Sequence, residues 1–300
     1  MAQQTQAKKV HGARVSVQRA TLVAHDEDRL ARVLLAKGDA RIAVCLPTDQ
    51  DAATVGVIVE AITTSLVRGC RLVDEILVVD NSSTDGTADL AAAAGARVMD
   101  AASSHHELGE AMGRGDLLWR GVGELDADLI VWLDADVTNF RVDSVVRLIE
   151  PLLMDEQVSL VRGRPSRESR AVGEGGHVTE VVARPVLALL DEQFSTLREP
   201  FCGDYAARST MLRSMSFEPD YGVEIGLLAD VAREYGIEAI REVDLEMREH
   251  QQRSLALRAR HTRQLMRAAL EHAGRATVRG ALPLRPAHDE LAIATMGGTR

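Results

Sequence analysis

The sequence predicts an α/β protein with a mostly parallel sheet covered by helices on both faces. Three observations predict it. Short apolar runs alternate with helical patterns across residues 41–140. Each run is almost wholly apolar, as strands buried on both faces must be. Polar clusters follow Leu46, Val79 and Leu133, at the carboxyl ends of those runs, where open α/β sheets bind their ligands.

Taken in order, residues 1 to 20 read as a loose arm, and Arg29 to Lys37 carries helical spacing that Gly38-Asp39 stops. Arg41-Ile-Ala-Val-Cys-Leu46 is a strand ended by Pro47, and residues 52 to 67 a helix. Glu75-Ile-Leu-Val-Val-Asp80 is the second strand, Thr87 to Ala94 a helix stopped by Gly95, and Arg97-Val-Met99 a short third strand. Asp116 to Leu125 is helical, and Asp128 to Leu133 is the clearest buried strand. Beyond residue 140 come a helix closing at Met154, a strand at Ser159–Arg162 and a Gly- and Arg-rich loop over 163–177. A helix over Val178–Leu190, kinked by Pro185, follows. Then come a helix over 222–235, a strand over Ile237–Val243, a basic helix over 253–273 and a tail. The division is an arm and helix (1–40), a first half (41–140), a second half of the same domain (141–275) and the tail (276–300).

Composition narrows the function classes. The chain has 300 residues and a net charge of −10, which argues against nucleic acid, because phosphate binding needs surplus Lys and Arg. At 3%, aromatic residues are too few for base-stacking platforms. Cys45, Cys70 and Cys202 lie far apart and form no zinc or disulfide pattern. With no long apolar run and no apolar leader core, the expectation is a cytoplasmic protein with no membrane partner.

The strongest chemical signal is Asp134-Ala-Asp136. Two carboxylates at i and i+2 share one side of an extended chain, and two anions that close call for a cation. A hard divalent ion such as Mg²⁺ takes carboxylate oxygens and shares them with substrate phosphates. The bland alternative is a pair of solvated acids, which the buried strand in front makes the weaker reading. The second signal is Asp80-Asn-Ser-Ser-Thr-Asp-Gly-Thr87. Asp80 can accept from the ring N–H of a base, and the following hydroxyls and helix start can meet ribose or phosphate. Alone, this stretch equally suits a helix-capping turn. His105-His106 reads as a loop, and the basic run Arg258–Arg267 as a solvated face.

An apolar strand ending in Pro47, the Asp80–Thr87 turn and the Asp134-Ala-Asp136 terminus, in that order, resemble the nucleotide-sugar half of GT-A glycosyltransferases. Gly113-Arg-Gly-Asp116, Gly175-Gly-His-Val-Thr179, Gly203-Asp-Tyr-Ala-Ala207, Pro219-Asp-Tyr-Gly-Val-Glu224 and Arg248-Glu-His250 extend the likeness to glucosyl-3-phosphoglycerate synthases over residues 40–270. The resemblance implies a GT-A fold and metal-dependent, retaining transfer from a nucleotide diphosphate sugar to a small polar acceptor, in a homodimer. It implies Pro47, Thr48, Asp51, Asp80 and Ser82 around base and ribose, and Asp134, Ala135 and Asp136 at the diphosphate. Asp136 and His250 would hold Mg²⁺ or Mn²⁺. Arg114 would stand by the leaving group, and Glu224 at the sugar hydroxyls with Tyr221 beside it. Gly176, His177, Val178, Thr179, Cys202 and Gln252 would face the acceptor.

The departures from the family pattern are local. Arg114 replaces a Lys, Gln50-Asp51 an Asn-Glu pair, His177 a phosphate-gripping Arg, and Gln252 an Asn. A neutral imidazole lacks the bidentate fork that grips phosphate. These changes favour a non-phosphorylated acceptor such as ergothioneine, the thiol that a related transferase of lincosamide antibiotic pathways joins to a GDP-octose. Glucosyl-3-phosphoglycerate synthesis is the alternative, and a non-catalytic nucleotide-sugar sensor a further one. A nucleotidyltransferase is disfavoured, because Thr48-Asp-Gln-Asp51 is acidic where that class carries a basic, Gly-rich loop.

Overall fold

The computed structural model describes residues 6–10, 13–17, 24–165, 184–198, 202–245, 248–250, 254–274 and 283–291. The arm holds an antiparallel pair, β1 (Gln6–Val10) and β2 (Ala13–Val17). The expectation of a loose arm overlooked the alternation of Val15 and Val17 with Arg14 and Ser16, which suits a strand. Helix α1 (Ala24–Lys37) follows.

The first half contains β3 (Ile42–Thr48), α2 (Val55–Ile62), β4 (Glu75–Asp80), α3 (Thr87–Ala94), β5 (Arg97–Asp100), α4 (Arg114–Glu124) and β6 (Leu129–Trp132). Pro47 does not end β3. The strand runs on to Thr48, paired with β4, whereas its pairing with β6 stops at Cys45. A proline is tolerated where one neighbour no longer draws on the strand's amides. The helix expected over 52–67 is α only to Ile62 and continues as a π-helix over Thr63–Gly69. Gly95 closes α3 with φ at 108°, a backbone state that favours glycine.

The second half adds α5 (Asp143–Met154), β7 (Leu160–Pro165), α6 (Arg184–Leu190), β8 (Tyr205–Arg208), α7 (Ser209–Ser214), α8 (Val223–Tyr235), β9 (Ile240–Leu245) and α9 (Leu255–His272). Pro185 sits in the opening turn of α6 as described, where its missing N–H costs nothing, and residues 178–183 of the expected helix lie outside the described residues.

The sheet order is β5-β4-β3-β6-β8-β7-β9, and only β8 runs against the rest. Alternate residues of each central strand serve opposite cores. Ala43, Cys45, Leu77, Val79, Ile130 and Trp132 meet α4, α8 and α9 on one face. Ile42, Val44, Leu46, Ile76, Val78, Leu129 and Val131 meet α2 and α5 on the other. Burial on both faces is why these strands read as unbroken apolar runs. From β3 the chain winds outward through β4 and β5, then returns to β6 on β3's other side. That reversal opens the crevice beyond the carboxyl ends of β3, β4 and β6.

Two other expectations change. Residues 283–291, assigned to a tail, are docked: Arg285 is 5% exposed, and its backbone pairs with Phe217. Arg267, assigned to a solvated face, is buried against Glu218, Asp220 and Glu271 at 3.0, 2.9 and 2.7 Å. A charged residue counts as polar in any hydropathy pattern, so partners distant in sequence cannot be read from it.

Candidate active site

The crevice is built on the turns that follow β3, β4 and β6. At the end of β4, Asp80 is buried, and its Oδ1 accepts from the hydroxyls of Thr48 and Ser83 at 2.8 and 2.7 Å. Its Oδ2 accepts from the Ser83 amide at 2.8 Å. Asp51 is also buried; its Oδ2 accepts from the Asp49 amide at 2.9 Å, and its own amide donates to the Thr87 hydroxyl at 2.8 Å. Gln50 and Ser82 adopt positive φ of 61° and 54°, a left-handed state uncommon outside glycine and found most often at functional turns. The Ser82 hydroxyl donates to Asp100 at 3.1 Å, and the Gln50 side-chain carbonyl accepts from the Thr84 amide at 3.3 Å. Thr48, Pro47, Asp51, Asp80 and Ser82 thus share one rim.

The Asp134-Ala-Asp136 turn is pinned at its middle. The Thr54 hydroxyl, just ahead of α2, donates to the Ala135 carbonyl at 2.5 Å. The Asp134 amide donates to Asp204 Oδ1 at 3.2 Å. Asp204 is held in turn by Arg248, whose Nε lies 2.8 Å from Oδ2. Segment 248–250 is sewn to the same turn. The Thr138 amide donates to the Glu249 carbonyl at 2.7 Å, and the Glu249 amide to Asn139 Oδ1 at 2.9 Å. His250 thereby reaches the acids from the far end of the chain: its Nδ1 is 3.0 Å from Asp136 Oδ1 and 4.0 Å from Asp134 Oδ2.

Asp134, Asp136 and His250 offer three ligand atoms within 4.8 Å of one another. Two carboxylates and an imidazole suit a divalent ion of the Mg²⁺ or Mn²⁺ type. Three carboxylates, Asp134, Asp136 and Asp204, act on His250. Burial lowers the His250 imidazole, but the Asp136 hydrogen bond and the Asp134 charge outweigh it and hold it above its ordinary range. A cation in place of that proton relieves the same charge, so the residues present fit the group.

Beside the acids runs a chain of buried ions. Arg114, at the start of α4, places Nη1 2.6 Å from Asp134 Oδ1 and Nε 3.1 Å from Glu224 Oε1, while Nη2 donates to the Gly203 carbonyl at 2.8 Å. Burial works against this guanidinium, but Asp134 and Glu224 outweigh it and raise it further. Glu224, in the first turn of α8, is also 3.3 Å from Arg162 Nη2 through Oε2. Burial is the largest influence on Glu224 and raises its carboxyl, with Arg114 and Arg162 pulling the other way. Tyr221 stacks on His261 of α9 at 3.6 Å. Glycine is required at Gly115, where a Cβ would overlap the Glu218 carbonyl, and at Gly203 a Cβ would overlap the Asp134 carboxylate.

Of the acceptor-side residues, Gly176, His177, Val178, Thr179 and Gln252 lie outside the described residues. The Cys202 carbonyl accepts from Arg162 Nη2 at 3.5 Å, and burial pushes the Cys202 thiol well up. Arg162, Asp204 and Gly203 carry roles that the sequence reading did not assign. Gly203-Asp204 stood in a quoted motif, whereas Arg162 sits in an apolar run with no local signal.

Residues 44–183 match the family model for Glycosyl transferase family 2. A glucosyl-3-phosphoglycerate synthase of Mycolicibacterium paratuberculosis is 39% identical over 253 residues, covering 82% of this chain and 76% of that protein. The chain belongs to the glucosyl-3-phosphoglycerate synthase family. It is a glycosyltransferase with the GT-A fold. The family's synthase from Petrotoga mobilis is 35% identical over 224 residues, 73% of this chain and 69% of that one. The Mycobacterium tuberculosis synthase, solved in complex with Mn²⁺, UDP-glucose and phosphoglyceric acid, superposes with a TM-score of 0.80 at 34% identity, covering 87% of this chain and 94% of that chain.

Proposed function

We propose that this chain transfers glucose from UDP-glucose to 3-phosphoglycerate with retention at the anomeric carbon, using Mg²⁺ or Mn²⁺ held by Asp134, Asp136 and His250. The convergence of those three side chains beside the Arg114–Glu224 pair carries the reading. When bound, the cation offsets charge developing on the departing diphosphate. Arg114 adds a fixed guanidinium on the same side. It costs no reorganisation, because Asp134, Glu224 and the Gly203 carbonyl already orient it. Glu224 accepts from sugar hydroxyls, and Thr48, Asp51, Asp80 and Ser82 surround the base and ribose.

The matched relatives support phosphoglycerate as acceptor, because they are named glucosyl-3-phosphoglycerate synthases and one is solved with UDP-glucose and phosphoglyceric acid. They give no support to ergothioneine, the acceptor expected from His177 and Gln252. The test is mass-spectrometric. The chain is given UDP-glucose or GDP-glucose, Mn²⁺ or Mg²⁺, and 3-phosphoglycerate as sole acceptor. The expected result is glucosyl-3-phosphoglycerate from UDP-glucose, lost in chelator and in Asp136→Ala. Metal-dependent UDP binding without product would overturn the acceptor, and thiols follow. Turnover by Asp136→Ala would overturn the metal centre.

A further inference from the structure

Residues 283–291 lie against the helix that carries Arg114. Arg285 is the centre of that contact. Its Nε and Nη2 lie 3.0 and 2.5 Å from the two oxygens of Asp116, which is fully buried in the first turn of α4. Its Nη1 donates to the Leu108 carbonyl at 3.0 Å. Its backbone exchanges two hydrogen bonds with Phe217, at 2.8 and 2.9 Å. On either side, Trp119 Nε1 donates to the Pro286 carbonyl at 2.8 Å, and His288 stacks on the Trp119 ring at 4.5 Å.

Charge balance alone does not call for Arg285. Asp116 already has Arg120, from the same helix, at 3.1 Å. What Arg285 adds is a tie between two segments. Its side chain grips the start of α4, two residues beyond Arg114, and its backbone grips Phe217, which leads directly into 218–224. Those segments meet backbone to backbone. The Gly115 and Asp116 amides donate to the carbonyls of Asp220 and Pro219 at 3.3 and 2.9 Å, in a gap with no room for a Cβ on Gly115. The 3.1 Å ion pair of Arg114 with Glu224 spans the same two segments.

We propose that Arg285 is a positioning residue for glycosyl transfer: the C-terminal strap sets the spacing of Arg114 and Glu224 by holding α4 and the 217–224 turn together. Its kinetic consequence rests on the transfer activity proposed above. A small displacement of a group that must meet the leaving diphosphate lowers turnover steeply. Base and ribose contacts, and the metal ligands Asp136 and His250, lie on other segments, and the backbone that carries Asp134 stays pinned by Asp204 and Thr54, so the nucleotide and cation contacts keep their geometry.

The test compares Arg285→Met with wild type and with Leu284→Ala, a half-exposed neighbour in the strap that takes no part in the tie. The expected result for Arg285→Met is a fall in kcat of about tenfold to a hundredfold. The UDP–Mn²⁺ Kd stays near wild type. Exchange of the amides over 113–117 and 217–224 quickens, and Leu284→Ala behaves as wild type. A folded Arg285→Met with wild-type kcat overturns the proposal, as does a loss of UDP affinity that parallels the loss of rate. If Arg285→Met does not fold, Arg285→Lys is read by the same criteria, since its single point charge cannot hold both Asp116 oxygens and Leu108. The exchange measurement needs no acceptor. A wild-type chain without turnover therefore counts against the proposed reaction, and unchanged exchange over 113–117 in the variant counts against the strap.

Discussion

Replacing Gly203 with alanine is the smallest change that reaches the reacting centre. A methyl group there overlaps the Asp134 carboxylate, the far end of a short side chain that can rotate away. No backbone strain arises, because Gly203 is not among the glycines with positive φ. The fold therefore survives, and Asp134 gives way. It leaves an Arg114 contact of 2.6 Å and its place beside His250. A charge-assisted hydrogen bond of this kind is worth about 1.5–3 kcal/mol. If that is lost from the transition state, at roughly 1.4 kcal/mol per tenfold, turnover falls by about ten- to a hundredfold or slightly more. The assay is steady-state transfer from UDP-glucose, with calorimetric titration of Mn²⁺ and UDP alongside and a thermal scan to establish folding. The expected pattern is weaker Mn²⁺–UDP binding, lower kcat and a Tm close to wild type. A folded Gly203→Ala with wild-type turnover and metal affinity would refute the reasoning.

Two further outcomes follow from buried charges. Arg162→Met leaves Glu224 with Arg114 as its arginine partner; breaking a buried pair costs about 3–5 kcal/mol, and the remaining arginine puts this case near the lower end. Urea unfolding at unchanged slope reads that loss directly, and an unmoved midpoint contradicts it. His272 lies 3.7 Å from Glu218 and 3.6 Å from Asp230, and Glu218 foremost holds its imidazole above the ordinary range against burial. A raised folded value stabilises fully below the unfolded value and is lost as pH climbs through the folded one. Wild type is therefore expected to exceed His272→Gln in urea midpoint by most in mild acid, with the gap narrowing in alkali; a gap independent of pH contradicts the assignment.

The sequence disclosed what the central strands disclose. β3, β4 and β6 are unbroken apolar runs because both sheet faces are covered, and the polar residues after them had to lie at the crevice. That placed Asp80, Asp134 and Asp136 on local grounds. His250 is different. It lies 114 positions from Asp136, and it meets the acids only through the backbone stitching of 248–250 to 137–139. No periodicity encodes that, and only the family likeness singled it out. Arg162, Arg267 and Arg285 were hidden for a further reason. A hydropathy pattern scores each guanidinium as solvated, yet all three are buried because carboxylates or carbonyls wait for them on other segments. The same blindness turned the docked residues 283–291 into a tail.

Arg114 shows how one such departure fits its surroundings. A lysine at this position, as the family pattern has it, presents one ammonium and must divide it between neighbours. The planar fork here meets Asp134, Glu224 and the Gly203 carbonyl through three separate nitrogens. Arg114 thus links Asp134, one of the three grouped ligand residues, to Glu224, which Arg162 holds from behind. Arg114 and Glu224 therefore behave as one electrostatic unit, whereas Asp134 keeps its own backbone tie to Asp204. Because the segments that bear Arg114 and Glu224 are joined through Arg285, this unit is completed by the last described stretch of the chain, on the opposite core face from α2, whose leading Thr54 pins the two acids.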